Sequence, residues 1–182
     1  NMIRKIFISW IAAISLILFS TQAFALINLS VGVPLSHTFT KEDAGGNKIE
    51  TDGVSGTFIQ IGIPILPGIG MDNYETKLKD SDTKIGTTIY NLYYLLPIPV
   101  INLTIGAGVG STEVMCDTCS TYYDKGGAVQ GYASLGFPIF PLFDLHLSYR
   151  SITSKIKGKD LLDGTEVDVS GTVTGIGIMF NF

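Results

Sequence analysis

Two short stretches carry residue types that could do chemistry. In His146-Leu147-Ser148 an imidazole and a hydroxyl stand two residues apart, the beginning of a base-and-nucleophile pair. In Cys116-Asp117-Thr118-Cys119 the thiol spacing is one used by disulfides, half zinc sites and redox pairs. Charges flank the first stretch at alternate positions: Asp144 before it and Arg150 after it. Arg150 is the only arginine beyond Arg4.

What these groups can do depends on the element that carries them. Phe143, Leu145, Leu147 and Tyr149 alternate with Asp144, His146, Ser148 and Arg150. A strand sends alternate side chains to opposite faces, so one face is apolar and the other polar. Residues two apart on a strand are about 6–7 Å apart. His146 and Ser148 therefore need other contacts to come into hydrogen-bond reach. Asp144 and Arg150 lie about 20 Å apart by strand rise and cannot pair directly.

The same two-residue period runs along the chain. It predicts eight strands, at about 26–40, 53–65, 69–79, 83–96, 100–114, 126–140, 142–157 and 167–182. Three connections are tight and contain proline: Leu66-Pro67-Gly68, Pro97-Ile98-Pro99 and Phe140-Pro141. The polar segments 41–52, 80–82, 115–125 and 158–166 alternate with them, and three of these four are longer. The last strand closes on Ile176, Ile178, Phe180 and Phe182 along one face.

The other end reads as a leader. Met2-Ile3-Arg4-Lys5 is basic, Ile6 to Phe19 is uncharged, and Ala23-Phe24-Ala25 is a small-residue cleavage signal. Residues 1–25 are expected to be a cleavable signal peptide and 26–182 a single barrel domain. No cysteine lies near the cleavage site, so no lipid anchor is expected there. Without Arg4 and Lys5, ten basic residues face 16 acidic ones. There is no basic stripe, and nucleic-acid binding has no electrostatic footprint.

A membrane leaves no water for a polar face, so the polar face must line a lumen. This phasing sends Asn28, Ser30, Gln60, Asn91, Asn102, Thr104, Gln130, Tyr132 and Ser134 inward. Val31, Ile59, Tyr90, Leu92, Ile105 and Val129 face lipid. The third strand resists it. Strict alternation from Ile69 and Met71 would put Asn73 and Glu75 against lipid. A β-bulge near Asp72–Asn73 is therefore expected, with Glu75 turned inward as the partner of Arg150 and Tyr74, Thr76 and Leu78 turned outward. Phe137, Phe140, Phe143, Tyr94, Phe180 and Phe182 gather at the tight-turn end as one aromatic girdle.

With these features in place, residues 26–182 resemble the small eight-stranded outer-membrane barrels of the OmpA/OmpX type. The resemblance implies an all-β, antiparallel up-and-down transmembrane barrel in a Gram-negative outer membrane. Its partners would be membrane lipid and lipopolysaccharide, with the barrel-assembly machinery reading Ile178, Phe180 and Phe182. A monomer without cofactors is expected. Some eight-stranded barrels modify lipid A, and the 3-O-deacylases among them use a His-x-Ser pair with a carboxylate. Here His146 and Ser148 are expected in the lumen, away from lipid. The preferred reading is a non-enzymatic envelope or surface-interaction barrel, with Asp144, His146, Ser148, Arg150, Glu75, Asn102 and Gln130 forming a polar plug. A lipid A enzyme and a small pore are the alternatives. Cys116 and Cys119 read first as a loop disulfide, with free thiols, or a zinc site using His37 and loop acids, as alternatives. The loop stretches Lys41–Lys48 and Tyr122–Lys125 are expected to be exposed.

Overall fold

The structure, a computed structural model, describes residues 27–41, 48–64, 66–98, 101–140 and 142–182. Residues 1–26, among them the expected leader, with 42–47, Ile65, Pro99, Val100 and Pro141, lie outside them. Eight strands close a ring: β1 (Asn28–Phe39), β2 (Thr51–Gly62), β3 (Gly68–Leu78), β4 (Lys84–Ile98), β5 (Ile101–Met115), β6 (Gly126–Phe140), β7 (Phe143–Lys157) and β9 (Gly171–Asn181). Each pairs antiparallel with its neighbour, and β9 joins β1 to β7 to complete the circle. A short β8 (Glu166–Asp168) extends β7 at the long-loop end. The only α-helical turn among the described residues, α1, spans Cys119–Tyr122. No described helix is long and apolar enough to cross a membrane.

The wall is inverted relative to a soluble barrel. Tyr90 is 62 % exposed and Leu92 63 %, on the outside of β4, while Asn91 between them is buried. The same alternation holds along β5, β6 and β7, with Asn102, Thr104, Gln130, Ser134, Asp144, His146 and Arg150 buried inside. At the tight-turn end Phe143 packs on Phe180 and Phe180 on Phe182, with ring centroids 6.2 Å apart in both pairs. These rings form the expected girdle. The chain's end is tied to its first described residue by Ile27 N–H to Phe182 O at 3.1 Å and Phe182 N–H to Ile27 O at 2.9 Å.

Three strands depart from the sequence-based expectation. β3 pairs with β4 without a break from Gly68 to Lys77, so there is no bulge at Asp72–Asn73. Asp72, Tyr74 and Thr76 point inward and are buried, and Glu75 is on the outside, 39 % exposed and paired with Lys84 at 2.9 Å. The inward placement of Glu75 and the outward placement of Tyr74, Thr76 and Leu78 are thus corrected. Glu75 sits near the long-loop rim, where a paired carboxylate costs far less than at mid-membrane. The bulge occurs instead in β1, between Pro34 and Ser36, where proline offers no ladder donor. It flips the phase and brings His37 and Phe39 inside. The eighth predicted strand is divided into β8 and β9. Asp168 Oδ1 accepts from Ser170 N–H at 3.0 Å, a local turn that competes with the ladder.

Candidate functional site

The polar side chains meet in the lumen as layers. In the middle layer β7 presents Arg150, whose Nε donates to Asp72 Oδ2 at 3.0 Å. Gln130 Nε2 donates to the same oxygen at 2.6 Å and to Asn91 Oδ1 at 3.0 Å. The guanidinium lies 3.6 Å from the Phe58 ring centroid and 5.0 Å from that of Tyr132. Arginine's planar, weakly hydrated head suits this stacked, paired setting. Ser148 accepts a hydrogen bond from Arg150 Nη1. The Tyr132 hydroxyl accepts from Gln60 Nε2 at 2.6 Å. This layer crosses the full width of the barrel.

Toward the tight turns, Asp144 Oδ2 accepts from Asn102 Nδ2 at 2.5 Å and from Asn181 Nδ2 at 3.2 Å. His146 Nδ1 lies 3.2 Å from Ser134 Oγ, while its Nε2 stands 4.0 Å from Asp144, beyond hydrogen-bond reach. Serine, imidazole and carboxylate are thus neighbours, with Ser134 on β6 instead of Ser148 and the carboxylate out of contact. The cavity beside them, lined by Ser134, His146, Ser148 and Arg150 among others, measures about 20 Å³. That admits roughly one water and excludes an acyl chain.

Toward the long loops the lumen turns apolar. Phe39, Ile85, Ile156 and Val169 cluster there, with Tyr123 and Leu78 packed against them. His37 is buried below, its Nδ1 2.7 Å from Thr76 Oγ1. Cys116 and Cys119 are joined as a disulfide. No cluster of metal-ligating side chains occurs among the described residues.

The disulfide hairpin is tied to the β7–β8 loop. Lys159 N–H donates to Tyr122 O at 2.8 Å, Asp124 N–H to Lys157 O at 2.9 Å, and Lys159 Nζ pairs with Asp124 at 3.3 Å. Tyr122 and Tyr123 are half-buried by these ties, not fully exposed as expected, while Asp124 and Lys125 are exposed. Because the closed loop is so short, loop-closure entropy limits its global contribution to at most about 2 kcal/mol. Cys116→Ser with Cys119→Ser is expected to leave the unheated, fast-migrating barrel band on a gel. Protease cutting should increase within 116–125 only. Loss of the folded band would show that the disulfide holds the barrel itself.

Of the residues singled out from the sequence, Asp144, His146, Arg150, Asn102 and Gln130 are buried in the lumen and Ser148 is half-buried against Arg150. Glu75 stands apart, outside. Asp72 was missed, although plain alternation along β3 pointed it inward. Ser134 has no partner assigned from sequence, and His37 only the alternative zinc site.

No family model and no curated protein sequence matches the chain. Solved structures do. Neisserial surface protein A superposes with a TM-score of 0.62 at 13 % identity, over 86 % of this chain and 97 % of that one. Ail, the attachment invasion locus protein of Yersinia pestis, gives 0.57 at 16 %, over 86 % and 97 %. The outer membrane protein W of E. coli gives 0.54 at 10 %, over 87 % and 98 %.

This chain has the fold of a small eight-stranded outer-membrane β-barrel. At these identities the likeness carries the fold alone. The inverted wall, apolar outside and polar inside, suits a lipid bilayer.

Proposed function

We propose that this barrel is a non-enzymatic, non-conducting envelope protein that works through its outer loops, in surface interaction or envelope structure. The observation that carries this reading is the filled lumen: Arg150 paired to Asp72 and stacked against Phe58 and Tyr132. An eight-stranded barrel has room mainly for its own side chains, and here charged, aromatic and amide groups occupy it. The tied β5–β6 and β7–β8 loops give the outer face a fixed shape. By resemblance, Ile178, Phe180 and Phe182 are the segment read by the assembly machinery once the 1–25 leader is removed.

Protein refolded into planar bilayers is expected to give no conductance steps. Small steps that grow in Arg150→Ala would favour the pore reading. Lipid A from cells expressing the protein should keep its acyl pattern. A changed pattern lost in His146→Ala would make the barrel an enzyme, through the neighbouring Ser134 and Asp144.

A further inference from the structure

The disulfide hairpin reaches beyond its own four residues at the long-loop end. Cys116 and Cys119 are the two cysteines of the sequence. Cys116 is exposed, and so are Asp117 and Thr118 after it, while Cys119 is buried. The helical turn α1 begins on Cys119 and has little to hold it. Thr118 makes no side-chain cap, and there is no acid in the first turn or base in the last to suit the helix dipole. A single turn is far shorter than a helix that holds by itself in water. The disulfide is what fixes its start.

From α1 the constraint passes to the barrel mouth. Tyr123 N–H donates to Cys119 O at 2.9 Å, and Tyr123 packs against the apolar cluster of Phe39, Ile85, Ile156 and Val169. Tyr123 also bridges to Gly158, between the backbone ties of Asp124 to Lys157 and of Lys159 to Tyr122. The β7–β8 loop has supports of its own. Gly158 N–H donates to Thr165 O and Val169 N–H to Ser154 O, both at 3.0 Å. Loss of the disulfide thus frees one side of the mouth and leaves the other folded.

We propose that Cys116–Cys119 is a thiol-exchange site, and that its reduction by a small-molecule thiol unlatches Tyr123 from the barrel mouth. A closed loop this short adds little to the stability of the fold. By reciprocity the fold adds as little to the stability of the disulfide. A thiolate attacks the Sγ of the exposed Cys116. The S–S bond breaks, and its electron pair leaves on Cys119 Sγ, which takes a proton from water. A second thiolate attacks the outer sulfur of the mixed disulfide and releases Cys116. Two protein thiols and one small-molecule disulfide result, two electrons having passed to the protein. Residues 116–125 then fray, and Tyr123 leaves the cluster. Neither the orientation of the barrel nor what its loops bind enters.

The test compares oxidised and glutathione-reduced protein in detergent by residue-resolved hydrogen exchange. Excess glutathione is expected to reduce the bond, and an acid-quenched sample to carry the adduct on Cys116. On reduction the Asp124 and Lys159 amides should exchange about tenfold faster. Those of Gly158 and Val169, held within the β7–β8 side, should not change. Tyr123→Ala should show the faster exchange already when oxidised, with little further change on reduction. Cys116→Ser with Cys119→Ser should show it at any glutathione concentration. Unheated gel migration checks that each form is a folded barrel. A bond that resists excess glutathione, or an adduct on Cys119, would overturn the exchange site. Reduction that leaves Asp124 and Lys159 protected would overturn the latch and confine the disulfide to its own loop. Both failures leave the filled lumen untouched, which conductance reads separately.

Discussion

Asp72→Ala is expected to cost the barrel about 3–5 kcal/mol, because it leaves the Arg150 guanidinium buried without a counter-charge. Arg150 is 2 % exposed and Asp72 fully buried, so water cannot take over the lost contact. Gln130 would lose its 2.6 Å acceptor as well. The measurement is the urea midpoint for loss of the fast-migrating band, with protein refolded into lipid vesicles. Glu75→Ala is the control. It removes a carboxylate from an exposed pair with Lys84, worth at most about 1 kcal/mol. A larger loss for Glu75→Ala than for Asp72→Ala would reverse the pairing described for Arg150. Asp72→Ala combined with Arg150→Met should recover much of the stability, since an apolar replacement of both partners removes the unpaired charge.

Tyr132→Ala should be comparably severe, at about 3–5 kcal/mol, through the cavity left by a buried ring. The ring covers Gly106, where a Cβ would run into it, and forms one side of the stack around Arg150. Its hydroxyl is the acceptor for Gln60. Tyr132→Phe separates these roles. It keeps the ring and leaves one buried amide donor unsatisfied, at about 1–3 kcal/mol. Equal losses in the two variants would mean that the hydroxyl, not the ring, holds the layer together. The same urea series reads both.

One critical contact and two strand irregularities escaped the sequence, each for its own physical reason. Asp72 lay in plain alternation with Tyr74 and Thr76. The aversion of a bilayer to charge argued against that phase, because it put Glu75 outside. That aversion depends on depth, and depth along a tilted strand is not written in a single strand's residues. Glu75 is at the rim, and Lys84 on the next strand meets it there. The bulge in β1 had a sequence cue in Pro34, yet whether a proline ends a strand or shifts its register depends on the strand it pairs with. The divided last strand turned on one side-chain-to-backbone hydrogen bond between Asp168 and Ser170.

By itself, the sequence determined which face of most strands meets lipid, the number of strands, the placement of tight turns and long loops, and the aromatic girdle. All of these are set by local alternation and turn chemistry, which act between near neighbours. Only the closed barrel decided which lumen groups touch. Arg150 and Asp72 are 78 residues apart, Asn102 and Asp144 42, and Gln60 and Tyr132 72. Groups so far apart come level only through the register and tilt of every strand around the ring. Nearer at hand, the β6–β7 hairpin sets His146 beside Ser134, and along β7 itself Ser148 meets Arg150. A pair that suggested a nucleophile and its base is instead divided between two local contacts.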